Sequence, residues 1–195
     1  MRSSLALDVF RRLAEQVAVV EDAAARAEIG GFPLAAPVLR RAGYVLAVAA
    51  LDTYFHERAI PLLAAAARNN AVQAGAVANY CQSVNAQDVT GLSAESHIRL
   101  RLSYKTLVAP KAIDSMLAAA ALNPLTVWRD VAFAMGSRPD RVQGQLQLVY
   151  DRRNQVAHEG DWDFIQLDFR AMDRTHLQDC VGFVGDLAEK IDAVL

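Results

Sequence analysis

Cysteine is scarce in this 195-residue chain. It has two, Cys81 and Cys180, far apart and without metal-ligand spacing, so a disulfide framework and a cysteine metal site are both excluded as organising devices. Long apolar runs are missing too. The uncharged stretch from Asn69 to Gln87 is studded with Asn and Gln and forms no membrane span. Asp8, Arg11 and Arg12 break up the N-terminal residues before a signal-peptide core can form, and a cytoplasmic protein without membrane association is expected. No carboxylate cluster of metal-site type occurs, so neither a catalytic metal nor another cofactor is expected. The net charge of -2 argues against indiscriminate coating of nucleic acid. What remains is a 53% hydrophobic composition, enough for one sizeable core and one domain over residues 1–195.

Two-residue alternation bounded by hairpin turns is lacking, whereas three- and four-residue apolar spacing recurs nearly throughout. The fold class read from this is all-α. Leu5, Val9, Leu13, Val17, Val20 and Ala24 mark a first amphipathic helix ending before Gly30. A second runs through residues 40–58, with Pro37 in its first turn and Pro61 at its end or at a kink. Its small residues Ala42, Gly43, Ala47, Ala49 and Ala50 permit close helix approach, which makes it central. Residues 69–103 read as short helices with loops. Pro110, Pro124 and Pro139 then open three further helices, Gly136 closes the second of these, and Thr175-His176-Leu177-Gln178 has capping-box form at the start of the last.

The segment Tyr150-Asp151-Arg152-Arg153-Asn154-Gln155-Val156-Ala157-His158-Glu159-Gly160-Asp161 gathers guanidinium, amide and imidazole groups near a helix end, the groups phosphodiester cleavage uses. Val142, Leu146 and Val149 give this helix its apolar line, and eleven residues on from Val142 the helix returns to within about 20°, so Arg153 points along the buried face. A guanidinium there needs a carboxylate or an arriving phosphate. The same arithmetic puts Arg41 and Asp52 on one face of the second helix, and Asp52 is the partner expected for Arg153. Asn154 and His158, four apart, share a face, and His158 in the last turn suits a general acid. A helix-ending cluster that caps carbonyls and docks a loop is the alternative reading of the same residues. Arg99, Arg101, Lys105 and Lys111 lie in a stretch without acids, read as a solvated basic face or a weak RNA-approach surface.

The run Arg152-Arg153-Asn154-Gln155-Val156-Ala157-His158-Glu159-Gly160-Asp161, with the segment from Arg41 through Asp52 to Tyr54, resembles the HEPN superfamily of small helical nucleases, specifically its RiboL-PSP branch. The resemblance covers residues 37–195 in outline and leaves the N-terminal helix, residues 1–30, outside it; Asp52 stands where the family usually places Glu. It implies an up-and-down helical bundle with additional short helices, and a metal-independent endoribonuclease of a toxin-antitoxin or phage-defence system, with Arg153, Asn154 and His158 catalytic and Asp52, Arg152 and Arg41 supporting them. It also implies a homodimer, because each chain brings one motif histidine, and a possible cognate antitoxin or defence-system partner. His56, His97 and His176 lack the motif's company. A catalytically silent HEPN adaptor and a nucleotide-binding module using Arg153 stay open beside the nuclease.

Overall fold

In the computed structural model, which describes residues 3–32, 34–83 and 85–195, the long second helix is the axis on which the rest is hung. Among the described residues, eight α-helices and one small hairpin follow in order: α1 (Leu5–Ile29), α2 (Ala35–Asn69), α3 (Ala71–Cys81), a 3-10 turn (Ala86–Val89), α4 (Ala94–Leu102), α5 (Pro110–Ala119), α6 (Pro124–Ala134), α7 (Pro139–Glu159), β1 (Trp162–Asp163), β2 (Asp168–Phe169) and α8 (Arg174–Val194). The fold is all-α. Helices α1, α3, α4, α5, α7 and α8 all pack against α2, while α6 bridges α5, α7 and α8.

The apolar residues of α2 explain that role. Leu51, Tyr54, Phe55 and Leu63 are fully enclosed, and its many alanines bring neighbours close. At Gly43 the approach is tightest: a Cβ there would stand 3.1 Å from a Leu177 methyl of α8 and 3.6 Å from Val17 of α1. The helix continues through Pro61, so of the two expectations, an end or a kink, the end is ruled out, and Ile60, Leu63, Ala64, Ala66 and Ala67 on both sides of the proline are buried. Packing of that apolar face outweighs the single backbone hydrogen bond that proline forfeits.

Helix α1 belongs to the same core. Arg40 of α2, only 2% exposed, donates from Nε to Glu21 (3.0 Å) and from both Nη atoms to Glu28 (2.5 and 2.9 Å), joining the two helices through a buried ion network. Pro110, Pro124 and Pro139 each open a helix as expected, and Gly136, at φ +62°, ends α6 in the left-handed conformation. Two expectations shift. The capping box of α8 is formed by Asp173 and His176, two residues earlier than read, and the irregular stretch after α7 contains an antiparallel hairpin pairing Trp162 with Phe169. Both cysteines are free and buried. Among the described residues no helix is long and apolar enough to cross a membrane.

Candidate functional site

Helix α7 sets the geometry of the motif. Val142, Leu146 and Val149 are buried along one line. The helix stops where Gly160 (φ +63°) and Asp161 (φ +65°) turn left-handed in succession, and both their N–H groups donate to the Gln155 carbonyl. Glycine takes this conformation without penalty, and aspartate is among the few other residues that tolerate it. The turn drives the Asp161 side chain completely out of solvent.

Two arginines meet it there. Arg152 of α7 approaches both carboxylate oxygens of Asp161, Nη1 at 2.6 Å from Oδ1 and Nη2 at 3.0 Å from Oδ2, and Arg41 of α2 donates from Nε to Oδ2 at 2.7 Å. The remaining donors cap the chain beyond the hairpin: Arg152 Nη2 reaches the Ala171 carbonyl (2.9 Å) and Arg41 Nη2 the Arg170 carbonyl (2.6 Å). Arg41 also lies over the Phe169 ring, 5.2 Å from its centroid, and Phe169 packs edge-on against Trp162. A clamp of two cations on one carboxylate thus sews α2, α7 and the hairpin together. The sequence signal for this role of Asp161 is an acid directly after a helix-ending glycine, with arginines upstream.

Arg153 sits otherwise. Half-buried, it donates from Nη1 to Asn154 Oδ1 at 2.9 Å, and its buried Nε has no hydrogen-bond partner. Among the described residues no carboxylate lies within the 4.0 Å of an ion pair. The expected partnership with Asp52 is therefore not made. Asp52 instead accepts the Leu107 N–H at 2.6 Å and faces His56 Nε2 at 3.8 Å. The connector between α4 and α5 crosses α2 at that point, and its otherwise unpaired amide takes the short carboxylate. His158 is exposed in the last turn of α7, one turn beyond Asn154 on the same face.

The other histidines are engaged: His56 with the Lys105 carbonyl (3.1 Å), His97 with Ser83 Oγ (2.9 Å), His176 in the α8 cap. Three cations of the basic stretch are likewise engaged from within. Arg99 forms a two-pronged pair with Glu57, Arg101 donates to the Gln82 carbonyl (2.7 Å), and Lys105 lies 4.8 Å over the Tyr80 ring.

Two grooves flank α7. One, of about 610 Å³, runs between the start of α2 and the hairpin, past Arg41, Val156 and Gly160. The other, of about 470 Å³, lies toward α8 and is floored by Tyr44, Val149 and Cys180. Burial pushes the Cys180 thiol up to about 12 and raises Tyr44 as well, so that floor is neutral and the thiol is no nucleophile. Arg153, Asn154 and His158 line neither groove; they occupy an open edge of the helix. Compared with protein-family models, with curated proteins and with solved structures, the chain matches none.

Proposed function

We propose that this chain is a metal-independent endoribonuclease of the HEPN kind, acting as a dimer within a toxin-antitoxin or phage-defence system, with Arg153, Asn154 and His158 carrying the chemistry. One observation supports this reading above the others: a half-buried guanidinium that no carboxylate neutralises, held against Asn154 on the helix whose last turn presents His158. A partly desolvated cation without a counter-ion attracts an anion, and a phosphodiester supplies one. An open helix edge also suits a polymer better than a nucleotide, which would seek an enclosed pocket.

RNA brings its own nucleophile. A base takes the 2′-hydroxyl proton and the oxygen bonds to phosphorus. The bond to the 5′-oxygen then breaks, and an acid returns a proton to that leaving oxygen. Arg153 stabilises the charge gathered on the phosphorane, oriented by Asn154, and His158 serves as acid or base. The second imidazole comes from the partner copy.

A second reading, a silent adaptor, is favoured by the clamp: Arg41, Arg152 and Asp161 have a structural account that requires no catalysis. Incubating the purified protein with single-stranded RNA and a chelator separates the two. The nuclease leaves 2′,3′-cyclic phosphate ends and spares DNA, and His158→Ala lowers the rate by about 10². Equal cleavage by both proteins, or none by the wild type freed of any inhibitory partner, transfers the conclusion to the adaptor.

A further inference from the structure

The end of the molecule where α7 terminates is unusually apolar. Seventeen large apolar side chains are exposed among the described residues, and eight of them lie on the α1–α2 turn and the hairpin, the two segments that border the 610 Å³ groove. Ile29, Phe32, Leu34 and Val38 stand out from the α1–α2 turn at 62–88% exposure. Phe164, Ile165, Leu167 and Phe169 stand out from the hairpin at 57–94%. Leu34, Val38 and Phe169 face one another across the 610 Å³ groove, whose floor includes Val156 and Met172.

The hairpin is braced in this position. With two residues per strand it is too short to support itself. The Asp163 side chain accepts the Ile165 and Gln166 N–H groups (2.8 and 3.1 Å), the Leu167 N–H donates to the Asp163 carbonyl (2.8 Å), and Arg170 Nη1 donates to the Trp162 carbonyl (2.8 Å). Leu167 is held at φ +54°, a conformation that costs a branched side chain free energy. Backbone strain and a network of polar contacts therefore fix four apolar side chains outward into water.

Side chains of this size carry on the order of 150 Å² each, so the patch presents roughly 800–1,000 Å². A monomer's largest apolar patch is about 300–600 Å², whereas one partner of a standard interface contributes about 800 Å². The patch also holds both a projection, the hairpin tip, and a groove. A two-fold interface needs that combination on one surface, since each copy must supply what the other receives. We propose that two copies of this chain pair through this end, the hairpin tip of each seated in the groove of the other. The pairing itself stands on the patch; only its consequence, that two α7 ends bearing His158 converge at one interface, rests on the nuclease reading.

Sedimentation velocity on the full chain tests this with Ile165→Asp at the tip and Val38→Asp at the groove, both at exposed positions whose substitution leaves helicity and melting unchanged. The wild type sediments as a dimer at micromolar concentration, each variant alone shifts the dissociation constant upward at least tenfold, and a mixture of the two recovers part of the dimer because one intact tip still meets one intact groove. A monomeric wild type, or two variants that dimerise as the wild type does, overturns the proposal. RNA cleavage separates this from the reading above. Monomeric variants that cleave at the wild-type rate uphold the interface and sink the composite site. Dimerisation unaffected by either variant, with cleavage lost only in His158→Ala, sinks this interface and leaves the nuclease standing.

Discussion

Arg152 and Arg153 are neighbours in the chain, and the helix turns them about 100° apart into opposite circumstances. Arg152 is spent on structure: it shares a fully buried carboxylate with Arg41 and caps a carbonyl beyond the hairpin. Arg153 is half-buried and, among the described residues, hydrogen-bonds only the amide of Asn154. The signature that resembles a nuclease thus divides between a part that holds the helix end in place and a part that is left chemically available. Residue type alone does not tell which arginine is which; the phase of α7 and the turn at Gly160 do.

The largest effect expected of any change to this pair comes from Asp161→Asn. Asparagine keeps the volume and tolerates the left-handed backbone, so the substitution isolates the charge and leaves two guanidinium groups facing an amide. Urea unfolding should show a loss of about 3–5 kcal/mol. Next comes Arg153→Ala, which breaks no ion pair: we expect about 1 kcal/mol or less in stability, with cleavage falling by about 10² or more if the arginine serves the phosphorane. Should Arg153→Ala destabilise as much as Arg152→Ala, the contrast between the two collapses.

Asp52→Asn sharpens the same comparison from the other side. The amide oxygen can still accept the Leu107 N–H, so calorimetry should register about 1 kcal/mol or less, where a buried pair with Arg153 would have cost several times that. The smallest effect belongs to Arg99→Ala. Its hydrogen bond holds the Glu57 carboxyl below the usual range, but Arg99 itself is more than half exposed, so the pair contributes at most about 1 kcal/mol. Because the folded value is the depressed one, that contribution is fully present above the unfolded carboxylate range. It fades as pH falls through the lower folded value, so melting curves of wild type and variant should converge in acid.

Most helix starts were legible because proline at the first turn is a local signal, and Pro110, Pro124 and Pro139 all behave accordingly. The end of α7 was equally plain, since Gly160 supplies a conformation few residues accept. Whether Pro61 ends its helix was not legible, because that is decided by burial on either side, a property of the assembled core. The hairpin is not legible in the sequence because strands of two residues carry no periodicity, and its stability is borrowed from Arg170, Arg41 and the Trp162–Phe169 contact. For the site, the phase of Arg153 and the shared face of Asn154 and His158 followed from helix geometry. The partner of Asp52 did not, since it depends on where the connector before α5 crosses α2.

The length of α2 has a consequence for how the molecule breathes. Thirty-five residues of helix extend about 50 Å, and the stretch from Leu51 to Leu63 is covered by neighbours along its whole inner face. No local fluctuation can bare those amides without displacing several helices at once. Their hydrogens should exchange with solvent only when the entire chain unfolds, on the slowest timescale the protein possesses, whereas the amides of the hairpin tip exchange through small openings that leave α2 undisturbed.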